Sequence, residues 1–200
     1  MTYRMRCWGA GLLLCAGWAH AADIEGVHIA PQVTLPDGPT LVLNGAGIRH
    51  KLVFMKLYVG ALYLPAKKTS AEDILNDPGA KRIAMFVLAD EIAASDLVAS
   101  MNHALAANHR PMELALIEAR LQQLNHMMVS ERVLHKHAVV TLSYVPATGT
   151  HIRINSEEKL VIPGEDFFRA LLRIWIGVKP VDGRLRDAML GGTSEFKLFR

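Results

Sequence analysis

The chain has 200 residues, with 22 Lys and Arg against 19 Asp and Glu, a formal net charge of +3. No cluster of five or more basic residues interleaved with aromatics occurs, which excludes a nucleic-acid surface. Hydrophobic residues make up 51% of the chain, yet no later segment reaches the roughly 20 uncharged apolar residues of a spanning helix, so no transmembrane segment is expected in the mature chain.

Arg4 and Arg6 precede an apolar stretch from Cys7 to Trp18, and Ala19-His20-Ala21 supplies the small-x-small pattern of a signal-peptidase site. Residues 1–21 are expected to be a cleavable export signal, and the protein to be periplasmic. Leu13 and Leu14 stand where a lipoprotein needs small residues before Cys15, so no lipid anchor is expected. Both cysteines, Cys7 and Cys15, lie in the signal, leaving neither a disulfide nor a thiolate for catalysis or metal. Arg4 and Arg6 leave with the signal and no acidic residue does, so the formal charge falls to +1. About 180 residues bury on the order of 70% of the unfolded surface. Without a repeat or low-complexity linker, residues 22–200 are read as a single domain.

Ile24 to Val33, bounded by Pro31, predicts an edge strand followed by a Pro36-Asp37-Gly38 turn. Leu41 to Leu43 runs into Asn44-Gly45-Ala46-Gly47, and Ile48 to Leu64 predicts one long bent strand or two abutting ones. Ser70 is placed to cap a short helix through Leu75, ended by Asp77-Pro78-Gly79, and Arg82 to Leu88 predicts a strand. Leu97, Val98, Met101 and Leu105 follow Ser95-Asp96 at helical spacing, and Pro111 opens a second helix through Leu114, Ile117, Leu121 and Leu124. Val133 to Val145, His151 to Ile154 and Lys159 to Ile162 predict further strands, with a turn at Pro146-Ala147-Thr148-Gly149. Gly164 to Ile176 is apolar over more than half its circumference, which predicts a buried helix, and Asp182 to Leu190 a last one. The order predicts an α+β fold, an open-faced antiparallel β-sheet covered on one face by helices.

Three segments in order, LNGAGIR over 43–49, FMKLYVGALYL over 54–64, and FFRALLRIWIG over 167–177 followed by KPVDGRLRDAMLG, resemble the chalcone isomerase-like family, particularly its exported bacterial members. The resemblance implies an open-faced sandwich with a ligand cleft between sheet and helices. The family includes isomerases that close a chalcone into a flavanone and relatives that bind fatty acids. Arg49 matches the family arginine, which stabilises a phenolate-like nucleophile in the former and grips a carboxylate in the latter; both are a charged fork meeting an anionic oxygen. Asn102 falls where the isomerases carry an asparagine on the substrate hydroxyl. Ser95 stands where they have a tyrosine, Tyr58 where they have the threonine that orients water, and Ile174 where they have a hydroxyl residue. An isomerase stripped of that network keeps its anion site and loses acid and electrostatic support.

The ligand-binding candidates are therefore Arg49, Tyr58 and Asn102. Arg49 and Tyr58 are nine residues apart, so an unbroken strand points them to opposite faces unless a bulge or bend intervenes. Arg49 also reads as a structural arginine paired with Glu165 or Asp166, and Tyr58 and Tyr63 as sheet aromatics with satisfied hydroxyls. Gly45 and Gly47 fit either a turn or bulge that lets backbone approach a ligand or a tight strand entry, and Trp175 a core aromatic or a cleft wall. No phosphate loop is present, because a strand follows the glycines.

Three functions compete. The first is a non-catalytic periplasmic protein binding a small amphipathic anion such as a fatty acid. The second is an isomerase or lyase acting on a phenolic or enone substrate. The third is haem or metal binding through one of His103, His109, His126, His135 or His137, although no HExxH or Cys-His pattern supports it. The first two need no cofactor, and the sequence specifies no protein partner.

Overall fold

The computed structural model describes residues 22–36, 38–52 and 54–192. The expected export signal and Asp37 of the expected turn lie outside these residues.

The strands are β1 (Ala22–Ile24), β2 (Val27–Ile29), β3 (Gln32–Thr34), β4 (Thr40–Lys51), β5 (Met55–Leu64), β6 (Lys81–Val87), β7 (Glu91–Ala93), β8 (Val133–His135), β9 (Val139–Val145), β10 (Gly149–Ile154) and β11 (Glu157–Ile162). The helices are α1 (Ala71–Asn76), α2 (Ala94–Asn108), α3 (Pro111–Ala115), α4 (Glu118–Ser130), α5 (Glu165–Ile176) and α6 (Gly183–Met189). Seven strands form one antiparallel sheet in the order β11-β10-β9-β6-β5-β4-β3, and β1-β2 and β7-β8 are separate two-stranded ribbons. The fold is α+β, as expected, with the helical layer on one sheet face.

Local chemistry sets several of these elements. Ser70 caps α1, its hydroxyl accepting from the Asp73 N–H at 3.2 Å. Asp182 caps α6 by accepting from the N–H groups of Arg184 and Leu185. Phe167, Phe168, Leu171, Leu172, Ile174, Trp175 and Ile176 of α5 are all buried, which anchors that helix on the sheet. Of the two readings of Ile48 to Leu64, the second holds: it contains two abutting strands, the chain reversing after Lys51 so that β4 and β5 pair as a hairpin. One expectation needs correction. The run opened by Pro111 breaks after Ala115 and restarts at Glu118 as α4.

Each sheet face has its own core. Tyr58, Leu62, Met85, Leu142 and Ile152 face the helices. Ile29, Leu41, Val59, Ala61, Tyr63 and Ala84 form a second core on the other face, joined by side chains of the β1-β2 ribbon. Tyr63 belongs to this second core, where its hydroxyl donates to the Ala30 carbonyl at 3.0 Å.

One irregularity decides which face receives Arg49. Leu41 and Leu43 lie in the second core, so strict alternation sends Arg49 there too. The β4-β5 register instead passes from Leu43↔Tyr63 to Gly45↔Leu62, leaving Asn44 as the extra residue of a bulge. Beyond it Gly45, Gly47 and Arg49 turn toward the helices, while Ala46 and Ile48 take the outer face. The bulge is fixed by the buried Asn44 amide, which donates to the carbonyls of Lys68 (2.8 Å) and Met189 (2.7 Å) and accepts from the Lys68 N–H (2.7 Å).

Candidate functional site

Arg49 and Tyr58 are direct cross-strand partners on β4 and β5 and therefore share a face. The odd spacing that separates them on a single strand loses its force, because a chain reversal lies between them. A second register shift beyond this pair, to His50↔Lys56, leaves Leu57 unpaired in β5. The Arg49 segment is also tied to the N-terminus of α6 through the backbone of His50, whose N–H donates to Asp182 Oδ2 at 2.9 Å.

Arg49 is 9% exposed, and its Cζ lies 5.5 Å from the centre of the Tyr58 ring. One Nη donates to Ser100 Oγ of α2 at 2.6 Å, while Nε is buried and has no partner among the described residues. Among the described residues no carboxylate forms an ion pair with Arg49. The alternative partners go elsewhere: Asp166 binds Arg120 at 2.6 Å and Glu165 binds Arg169 at 3.3 Å. A buried guanidinium with no ion pair and an unpartnered Nε keeps donor capacity free.

The Tyr58 oxygen accepts from the indole Nε1 of Trp175 at 3.0 Å, and no acceptor for its own hydrogen is found among the described residues. Burial pushes the Tyr58 pKa up, more strongly than the Arg49 charge and the Trp175 hydrogen bond pull it down, so the phenol stays protonated at neutral pH. Arg49 and Tyr58 thus present two hydrogen-bond donors, one cationic, side by side.

They border a cavity of about 40 Å³ whose remaining walls are apolar. The sheet gives Met85, Val140 and Leu142; α2 gives Leu97, Val98 and Met101; α4 gives Leu124 and Met128; α5 gives Ile174 and Trp175. Ile174 is thus a wall of the cleft, apolar where an isomerase needs a hydroxyl. Trp175 is both core and cleft wall. Asn102 is not brought to the cavity: its side-chain oxygen accepts from Asn125 at 3.4 Å in the seam between α2 and α4. Ser100 was not among the expected site residues, although a lone hydroxyl between Leu97 and Met101 on an otherwise apolar stripe was a legible signal.

Gly45 does follow a bulge, as one reading of the glycines expected, and what the glycine backbone approaches is a helix. A Cβ on Gly45 would lie 2.0 Å from the Ala188 carbonyl oxygen, and one on Gly47 2.7 Å from Ala188 Cβ. Their backbone closely approaches helix α6. The histidines are scattered. His135 pairs with Glu91 at 3.5 Å, and among the described residues no three His, Cys, Asp or Glu side chains group as a metal site.

The chain belongs to the chalcone isomerase-like family, whose model matches residues 21–191. No curated protein sequence matches it significantly. Among solved structures it is similar to the Arabidopsis thaliana fatty-acid binding protein AtFAP1, with a TM-score of 0.63 over 86% of this chain and 96% of that one. The two are 13% identical, so this likeness establishes the fold. Among the described residues no helix is long and apolar enough to cross a membrane.

Proposed function

We propose that this chain is a non-catalytic binding protein, exported to the periplasm through residues 1–21, whose mature part, residues 22–200, is a single domain. It holds an amphipathic anion such as a fatty acid, with the carboxylate on Arg49 and Tyr58 and the tail between sheet and helices. The observation that carries this reading is Arg49 itself, buried beside an apolar cavity with its Nε unpartnered. A buried cation with no ion-pair partner among the described residues is costly, and an incoming carboxylate that accepts from both Arg49 and the Tyr58 hydroxyl offsets that cost. That the similar structure is named a fatty-acid binding protein supports the same class of ligand.

The cavity of about 40 Å³ is small. Pockets for drug-sized ligands run about 300–1,000 Å³, so an acyl chain requires α2 and α4 to move off the sheet. Met85, Met101 and Met128 line the space, and unbranched thioether side chains repack readily during such a movement. The test is native mass spectrometry with lipid extraction of the purified mature protein. A co-purifying acyl chain that is lost in Arg49→Ala and kept in His135→Ala is the expected result. Acyl content equal in wild type and Arg49→Ala would sink the reading.

A second reading, an isomerase or lyase with Arg49 and Tyr58 on an oxyanion, draws on the free Tyr58 hydrogen. It predicts cyclisation of a chalcone far above the solution rate, abolished by Tyr58→Phe. Ile174 in the cleft wall counts against it, since it supplies no hydroxyl.

A further inference from the structure

Eight large apolar side chains stand exposed among the described residues, and three of them crowd the single tip that joins β4 to β5. Leu52 is 83% exposed, Phe54 90% and Met55 52%. Leu52 also holds φ at 58°, a left-handed conformation that suits Asn or Gly and disfavours a branched apolar side chain. Neither core packing nor turn chemistry calls for these residues here. Lys51 and Lys56 flank the tip, one on each strand. Their partners, Asp96 at 3.6 Å and Glu25 at 2.8 Å, are themselves more than 40% exposed, and such surface pairs are loosely held.

The tip lies at the anion end of the cleft. Leu52 is three residues beyond Arg49, a reach of about 10 Å along a strand. Arg49 touches Ser100 and Lys51 touches Asp96, so the tip runs beside the first turns of α2, a helix that roofs the cavity.

We propose that the β4-β5 tip docks the protein on a phospholipid bilayer carrying anionic headgroups. Leu52, Phe54 and Met55 enter the interface, and Lys51 and Lys56 turn to the headgroup phosphates. An apolar tip with flanking lysines on flexible stems matches the graded polarity of that interface. The tip is a poor fit to a protein partner. Three side chains offer on the order of 500 Å², below the roughly 800 Å² per partner of a stable protein interface. Docking there sets Arg49 near the depth at which the carboxylate of a membrane-held fatty acid sits. That purpose, loading of the cleft, rests on the acyl-binding reading; the docking itself does not.

The experiment is co-sedimentation of the mature protein with phosphatidylcholine–phosphatidylglycerol vesicles and with pure phosphatidylcholine vesicles. Wild type should favour the former. Leu52→Asn with Phe54→Ser should lower partitioning about tenfold or more, while leaving Tm equal or higher because Asn suits the Leu52 backbone. Lys51→Gln with Lys56→Gln should erase the preference for phosphatidylglycerol, about fivefold per lysine. Equal sedimentation of wild type and tip variant overturns the proposal. So does self-association in vesicle-free buffer that the tip variant loses, which would make the tip a contact between copies of the chain. Titration with a fluorescent fatty acid in vesicle-free buffer separates the two readings. Binding kept by the tip variant but lost in Arg49→Ala supports the cleft; vesicle docking without fatty-acid binding sinks the acyl reading alone.

Discussion

The β4-β5 hairpin carries two neighbouring cross-strand pairs on the same face, Gly47↔Gly60 and Arg49↔Tyr58, and the helices treat them in opposite ways. Over the glycines α6 rests on bare backbone, close enough that a Cβ on Gly60 would lie 2.7 Å from Met189 Cε. Over Arg49 and Tyr58 two large side chains stand up from the strands, and α2 and α5 bridge across them with a hollow beneath. Side-chain volume, changing from nothing to Arg and Tyr within two residues, separates the closed part of the interface from the open one. The cleft is a property of this one hairpin as much as of the helices that roof it.

The largest effect is expected from filling the closed end. Gly45→Ala places a methyl group 2.0 Å from a backbone carbonyl oxygen of α6, which cannot rotate away as a side chain can. The helix must lift or the strand must bend, at a cost of about 3 kcal/mol or more. Chemical denaturation should show a midpoint far below wild type, with Gly47→Ala intermediate because its new methyl meets Ala188 Cβ. A Gly45→Ala protein as stable as wild type would mean that α6 does not sit on β4 in this way.

Emptying the open end should act on binding and spare stability. Arg49→Met keeps the bulk of the side chain and removes the charge, so fatty-acid affinity should fall about ten- to hundredfold. The folded state should be unchanged or more stable, because the variant no longer buries a guanidinium whose Nε lacks a partner. Parallel loss of affinity and stability would make Arg49 a structural residue.

Much of this arrangement was legible in the sequence, and the parts that were not share a cause. The buried α5, the Ser70 cap and most strands follow from apolar spacing and local capping chemistry, which a short window of sequence contains. The reversal after Lys51 was hidden because the turn holds apolar residues where Gly, Asn or Pro would announce it, so the run read equally as one long bent strand or two abutting ones. The bulge at Asn44 was hidden for a different reason. Its partners Lys68 and Met189 are 24 and 145 residues away, and only the tertiary fold shows that they meet. Arg49 was identified through the family motif, but its inward face depends on that bulge. Ser100 was visible as a polar interruption of an apolar stripe, whereas Asn102, one residue type matched at one position, turned out to lie in a helix seam.

A smaller effect is expected at the phenol that shares the open end. Tyr58→Phe leaves the Trp175 indole N–H buried without an acceptor, which should cost about 1–2 kcal/mol of stability. Denaturation of Tyr58→Phe and of the Tyr58→Phe/Trp175→Phe double variant tests this. The double variant should recover part of the loss, since the orphaned donor is then gone.

The smallest effect distinguishes the two sheet faces by titration. Burial raises the pKa of Tyr58 on the cleft side, opposed by the charge of Arg49, and pushes Tyr63 on the outer face up to about 12. Both tyrosines titrate above their unfolded value of 10.0. The stability linked to them is therefore fully present below pH 10 and lost as pH rises through the folded values. Phenolate absorbance should lag that of free tyrosine and then rise with unfolding. Arg49→Met removes the charge that holds Tyr58 down, so it should delay the Tyr58 ionisation further while leaving Tyr63 where it is, as read in Tyr58→Phe and Tyr63→Phe backgrounds. If Arg49→Met instead made Tyr58 ionise more readily, water would have entered the hollow in place of the guanidinium, and the roof of helices would be looser over the open end than its packing implies.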